Sequence, residues 1–331
     1  MALTAADAAY AALTETCGWG DRSERGKLLL TGADAAEFLT GQVSNDIVGL
    51  EPGHGCYAAL LTPKGKMVAD LRVLRLGADA GPEAGEGAGL WLDTERSALQ
   101  TLFETLYRHR IGHRVTLHKR TLERSLISLI GPRAPAVAAG LTGLDAEELP
   151  RTEHDHRNAA IGGVRALLVA TDTGLDLIVA SEDHEAVRQA LSDAGVSEVG
   201  EGDTEVIRVE HGRPRYGVDL DDSVIPQEAG LNDRAVSFTK GCYVGQETVA
   251  RLHYRGKPNR RLRGLRLSGP AQGGEELHHG EKVVGRLTSP VTSPRLGPLA
   301  LALVRREVEP GEHVRVGEGA LSAEVVELPF A

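Results

Sequence analysis

Residues 238–256, FTKGCYVGQETVARLHYRG, hold Cys242, and the nearest other cysteine in sequence is Cys56. The run from Gly245 has a helical rhythm, with Gly245 at the N-cap position and Gln246 and Glu247 in the first turn. Glu247 and Arg251 stand at i,i+4, in the order that favours an ion pair on a helix face. Cys242 therefore precedes a helix N-terminus, and the positive dipole end together with Lys240 would favour its thiolate. Such a thiol can act as a nucleophile or touch a cluster or metal. A free cysteine is also among the most often buried residue types, and the local sequence by itself favours that role. Gly241 and Gly245, on either side, suit a backbone that another group approaches closely.

Two other patterns could do chemistry. Asp70 sits in KMVADLRVLR among Val68, Leu71 and Val73. A strand carboxylate there is either outward-facing and ordinary or buried and functional. Alternation sets it opposite Leu71, which suits the outward reading. Between Arg251 and Arg266 the chain carries Arg251, Arg255, Lys257, Arg260, Arg261, Arg263 and Arg266. That segment could receive an anionic ligand such as a folate glutamate tail, or an RNA phosphate; it reads equally well as a solvated helix end followed by an edge strand. Tyr243 and Tyr254 are few aromatics for stacking bases, so the RNA signal is weak. The histidines do not converge: HDH at 154–156 lies in a polar run and His278–His279 in a turn-like EELHHG, so no metal site is expected. Cys17, Cys56 and Cys242 are an odd, widely spaced set without CxxC spacing, and neither a disulfide framework nor a zinc site is expected. No G-x-S-x-G or Walker-type loop occurs.

The elements that must position these residues read clearly in places. Residues 27–31 form a strand, Gly32 breaks it, and a short helix follows. CYAALL (56–61) and KMVADLRVLRL (66–76) make a hairpin through TPKG, where Pro63 and Gly65 suit the turn. The Gly-, Ala- and acid-rich run 77–89 reads as a flexible hairpin tip with no dinucleotide fingerprint. ERSALQTLFETLYRHR is an amphipathic helix, RVTLHK and RSLISLIG are strands, and 163–180 is a strand pair. A helix over 183–195 starts near Asp183 and stops at Gly195. After residue 257 the chain turns to short strands separated by Gly and Pro, the pattern of a small barrel or sandwich, giving regions 1–257 and 258–331.

The composition sets outer bounds. A chain of 331 residues with 41% apolar and 25% charged residues is an ordinary globular protein of two or three domains. Its net charge of −10 argues against nonspecific nucleic-acid binding except through a local basic patch. The N-terminal MALTAADAAYAALTETCGWG lacks the marks of a secretory signal, and no run is long and apolar enough for a membrane span. The expectation is a soluble, cytoplasmic protein.

From residue 207 onward the chain closely resembles the YgfZ family, the folate-binding relatives of the glycine-cleavage T-protein. The family signature K-G-C-[FY]-x-G-Q-E is matched at every position from Lys240 to Glu247. FLTGQVSNDIVGLEPGHGCYAALLTPKGKMVADLRVLR is similar to the T-protein hairpin region, and GRLTSPVTSPRLGPLALALVRRE to its C-terminal barrel. The resemblance implies an α+β fold: a three-lobed ring around a central folate cavity, with a small C-terminal β-barrel. It implies tetrahydrofolate or a derivative as cofactor. It also implies an accessory role in iron–sulfur cluster assembly or repair that supports tRNA-thiomethylating enzymes, with cluster-assembly or client proteins as partners. On that reading Cys242 is the functional residue, framed by Lys240, Gly241, Tyr243, Gly245, Gln246 and Glu247, with Arg251 nearby. The alternative is a folate-dependent aminomethyltransferase using Asp70, which could match the second of two acids in the T-protein hairpin. Against that alternative, the T-protein TGE segment appears in this chain as DTGLDL, with Leu175 in place of the acid and Asp176 at best a shifted substitute. Glu210 in RVEHG sits where T-proteins have a cavity glutamate. A tRNA- or partner-binding module is the third reading.

Overall fold

The computed structural model describes residues 5–77 and 89–330. The run read as a hairpin tip falls outside the described residues except at its ends. Three layers of strand structure are present, and each forms for a reason visible in the local sequence.

The first is a five-stranded antiparallel sheet in the order β3 (Gly55–Leu61), β4 (Met67–Arg75), β5 (Leu90–Thr94), β2 (Gly26–Thr31) and β6 (Thr116–Lys119). Its outer face is covered by α2 (Ala35–Gln42) and α3 (Arg96–His109). Ala98, Leu102 and Leu106 recur at i,i+4 along α3 and bury against Leu28, Leu30, Leu71 and Val73. Gly32 lies at φ +116°, and a Cβ there would stand 2.1 Å from the Arg114 carbonyl oxygen, which fixes glycine at the strand-to-helix break.

The second sheet has the order β11 (Ser197–Glu198), β1 (Gly18–Asp21), β7 (Arg124–Ile130), β10 (Gly174–Ala180), β9 (Val164–Ala170) and β8 (His156–Ile161). Only β1 and β11 pair in parallel. Its outer face packs on α4 (Ala134–Thr142) and α5 (His184–Asp193), the latter through Val187 and Leu191. The two sheets meet across their inner faces through Leu29, Leu74 and Trp91 on one side and Leu126, Val169 and Ile178 on the other.

The third lobe is a closed barrel, β12 (Arg260–Leu267), β15 (Gly297–Arg305), β14 (Lys282–Ser293), β13 (Glu276–His279), β16 (His313–Val316) and β17 (Ser322–Val326). It is joined to the first sheet by α6 (Glu201–Glu210), α7 (Asn232–Ala235) and α8 (Gln246–Arg255). One core holds Ala59, Leu61 and Met67 of the hairpin together with Val209, Val249, Leu262, Leu301 and Phe330. The division expected after residue 257 falls between α8 and β12.

The α+β architecture with a terminal barrel is thus present, and the hairpin, α3, α5 and α8 lie where their patterns place them. Two readings need correction. His278 and His279 belong to strand β13, not to a turn, while the polar run 151–158 leads into strand β8, an edge strand whose outward positions tolerate polar residues. Asp70 is buried, at 6% exposure. Both faces of β4 are covered, one by the helices and one by the second sheet, so alternation moves a side chain from one interior to another and not to solvent.

Candidate active site

The inner faces of the two sheets are apolar at one end and charged at the other. At the charged end lies a cavity of about 220 Å³ lined by Arg25, Tyr57, Asp70, Arg72, Asp93, Glu95, Ser128, His154, Asp176 and the arginines of the 208–234 region, among others. Residues i and i+2 of a strand share a face, so Asp70 and Arg72 of β4 both enter it. Asp93 comes from β5, Ser128 from β7 and Asp176 from β10.

Tyr57 lies opposite Arg72 across the β3–β4 ladder, and its Oη donates to Asp70 Oδ2 at 2.5 Å. Burial raises the Asp70 carboxyl to about 6; the Tyr57 hydrogen bond and Arg25 pull it down, and Glu95 pushes it further up. Around it runs an ion-pair network. Arg72 Nε donates to Asp93 Oδ2 and Arg72 Nη1 to Asp176 Oδ2, both at 2.7 Å, and Ser128 Oγ donates to Asp176 Oδ1 at 2.6 Å. Arg25 Nη2 donates to Asp93 at 2.9 Å and Arg25 also pairs with Glu95, which accepts from Arg215 Nε at 3.0 Å. Burial alone would raise Asp93 and Glu95, yet the neighbouring arginines hold both below their ordinary values. They stay charged, and Asp70 is the carboxyl poised to exchange a proton near neutrality.

His154 also faces this cavity. It is a non-glycine residue at φ +76°, a backbone state seldom kept unless the surroundings demand it. Burial, then Arg72 and Arg234, lower its imidazole to about 3, so it is neutral. Sequence reading passed over it, because nothing in HDH marks one ring as cavity-facing.

A second space of about 1170 Å³ adjoins the first, sharing Ile130, Thr171, Asp172 and Thr173 as walls. Glu210, the last residue of α6, lines it; its carboxylate accepts from Tyr10 Oη at 3.0 Å and from Ser293 Oγ. Leu175 points into the core of the second sheet, and the next residue along β10, Asp176, turns into the smaller cavity.

The signature residues lie elsewhere. None of Lys240 through Glu247 lines either space. Cys242 is exposed and unpaired. Lys240 does not serve it: its Nζ donates to the carbonyls of Thr40 in the last turn of α2 and of Val43 (2.6 Å) and Asn45 (3.0 Å) just beyond it, and lies over the Tyr243 ring. Tyr243 is buried in the hairpin–barrel core. Gly245, at φ +87°, would place a Cβ 2.6 Å from the Thr62 carbonyl oxygen. Gly241 and Glu247 are exposed and Gln246 half-buried. The Glu247–Arg251 pair does not form, and Arg251 is exposed. The basic segment is divided, since Arg260 pairs with Glu228 and Arg263 with Glu327. Among the described residues no group of three or more His, Cys, Asp and Glu is arranged to hold a metal, and no helix is long and apolar enough to cross a membrane.

The chain matches two family profiles: the GCVT N-terminal domain over residues 2–240 and the glycine cleavage T-protein C-terminal barrel domain over residues 260–331. It is similar to the aminomethyltransferase of Thermus thermophilus, with 31% identity over 97% of this chain and 89% of that protein. The aminomethyltransferase of Streptomyces coelicolor is 29% identical over 97% of this chain and 88% of its own. Among solved structures, the glycine cleavage system aminomethyltransferase T from Bartonella henselae superposes with a TM-score of 0.85 at 24% identity, covering 98% of this chain and 89% of that one. These findings correct the accessory-protein expectation. Relatives matched over nearly the whole chain carry the name aminomethyltransferase, which favours the transferase alternative over a role in iron–sulfur cluster assembly or tRNA binding.

Proposed function

This chain belongs to the glycine cleavage T-protein family, and on that premise we propose that it is a folate-dependent aminomethyltransferase acting in the smaller cavity. The observation that carries the reading is Asp70: a buried carboxyl at about 6, oriented by Tyr57. A group with that affinity is mostly ionised at neutral pH and still basic enough to accept a proton as a nitrogen forms a bond to carbon.

The residues fit a folate. Arg72 Nη2 and His154 Nδ1 are buried polar atoms without a hydrogen-bond partner, which suits a head group carrying both donors and acceptors. The adjoining larger space gives room for a long tail, with Glu210 in its wall. Tetrahydrofolate, when bound, supplies the nitrogens that take up the one-carbon unit. Asp70 takes up the proton: Tyr57 Oη donates to Oδ2, and Oδ1 is the acceptor. Arg25 offsets the charge that Asp70 and Glu95 bring together, and the burial of Asp70, Arg72 and Asp93 strengthens each of these interactions. Asp176 and Asp93 act through Arg72, which they hold in place.

The complete stretch Lys240–Glu247 supports placing the chain near the YgfZ branch of the family. In this reading Cys242 and its frame are not transfer machinery. The test is calorimetric titration with tetrahydrofolate beside turnover of an aminomethylated carrier. Asp70→Asn is expected to bind tetrahydrofolate within about threefold of the parent and to lose roughly 10²–10⁴-fold in turnover. No binding by the parent protein, or full turnover by the variant, would sink the proposal.

A further inference from the structure

We propose that Arg72 and His154 form a donor–acceptor pair that reads the lactam edge of a reduced pterin, the guanidinium donating to the ring carbonyl and the imidazole accepting from the ring N–H. The inference rests on the folate reading above and names what selects the ligand's head group.

Arg72 is 7% exposed, and two of its three nitrogens are committed: Nε to Asp93 and Nη1 to Asp176. These bonds fix the guanidinium plane and leave Nη2 as a donor with no partner. His154 Nδ1 is likewise unpartnered. Its Nε2 stands 3.7 Å from Glu153 Oε1, beyond a hydrogen bond but close enough to favour the proton on that nitrogen. Glu153 is itself held by Arg234. Nδ1 of the neutral ring then presents a lone pair. Arginine can only donate, and a neutral imidazole nitrogen without its proton can only accept. One fixed donor and one fixed acceptor in the same cavity match a cis-amide edge, C=O beside N–H. Arg72 is also the largest single charge acting on the His154 ring, so the two groups act on one place.

The register on β4 agrees. Asp70 and Arg72 share a face of the strand. In a reduced pterin the lactam carbonyl and N5 are neighbours across the ring fusion. A lactam seated on Arg72 therefore turns N5 toward the side where Asp70 stands. The unusual backbone of His154 has a use in this arrangement: it delivers a ring from the loop before β8 to the cavity wall.

A 2,4-diamino ring reverses the pattern, placing an amino donor against the guanidinium and a bare nitrogen against the imidazole. A site built on buried hydrogen bonds rejects such a mismatch strongly. The experiment is calorimetric titration of the full chain with tetrahydrofolate and with its 4-amino analogue, tetrahydroaminopterin. The parent protein is expected to prefer tetrahydrofolate by about 100-fold or more. His154→Asn, which tolerates positive φ, and Arg72→Lys, which keeps the charge but loses the fork, should each bring the ratio to within about fivefold by weakening tetrahydrofolate. Equal binding of both ligands by the parent overturns the pairing, and so does an unchanged ratio in folded His154→Asn, which decides alone if Arg72→Lys does not fold. Binding of neither ligand removes the folate reading itself, an outcome distinct from loss of discrimination.

Discussion

Asp70 carries a cost that function explains. Its carboxyl titrates near 6 in the folded protein against 3.8 for an unperturbed aspartate. The folded state therefore holds a proton that the unfolded chain has released. Stability from this group is complete below the unfolded value and is lost as pH rises through 6, a difference of about 3 kcal/mol. Asp70→Asn should accordingly be more stable than the parent at pH 8, by up to about 3 kcal/mol in urea unfolding, with the gap closing toward pH 4. In the parent, turnover should fall as pH drops below about 6. His154 has the opposite sign: its folded value is lowered to about 3, so its contribution is present above 6.5 and lost as pH falls toward 3. His154→Asn should be less sensitive to acid over that window, as read from unfolding midpoints. Cys242→Ser should leave turnover and tetrahydrofolate affinity within about twofold, since the thiol is exposed and outside both cavities. A large loss in that variant would return the cysteine to the mechanism.

At the level of elements, the signature stretch fastens the β3–β4 hairpin to α8. The hairpin turn closes with Thr62 N–H donating to the Lys66 carbonyl at 2.8 Å, and Gly65, at φ +75°, would put a Cβ 2.9 Å from Thr248 Cβ. Gly245 packs on the same turn, and a Cβ there would stand 3.2 Å from Gly65 Cα. Gly245→Ala should therefore cost about 2 kcal/mol or more in denaturant unfolding, from the left-handed backbone and the backbone contact together. If the variant unfolds at the parent's midpoint, the close approach is not a constraint. The hairpin and α8 were legible in sequence because turn residues and a 3.6-residue rhythm are local signals. Which way Asp70 faces was not, since a strand of alternating polar and apolar residues reads the same whether its second face meets water or another sheet. The Gly-flanked cysteine misled for a related reason: of the two glycines only Gly245 is closely approached, and by the hairpin turn, while a Cβ at Gly241 would meet open space.

At the scale of the molecule, the cavity exists only where separate lobes meet: β4 and β5 from one sheet, β7 and β10 from the other, and the 208–234 region from the linking segment. The barrel closes the wall of the larger space through Pro294 and Arg295, and Ser293 donates to the Glu210 that lines it. We propose 1–257 and 258–331 as regions that share one core and do not fold independently. A fragment ending at residue 257 should expose the hairpin residues that pack on Leu262, Leu301 and Phe330, bind a hydrophobic dye and lose its cooperative thermal transition. A fragment that melts cooperatively would contradict this. The amino-acid sequence by itself determined the hairpin, the amphipathic helices, the helix-free barrel region and the resemblance of its motifs, because each depends on residues near one another in the chain. Tertiary structure alone decided that Asp70 is buried and proton-hungry, that Arg72 and His154 each keep a polar atom without a partner, and that Lys240 serves a helix end instead of a thiol. Those properties come from desolvation and from charges brought together across long sequence separations, such as Arg72 with Asp176, and no local pattern encodes them.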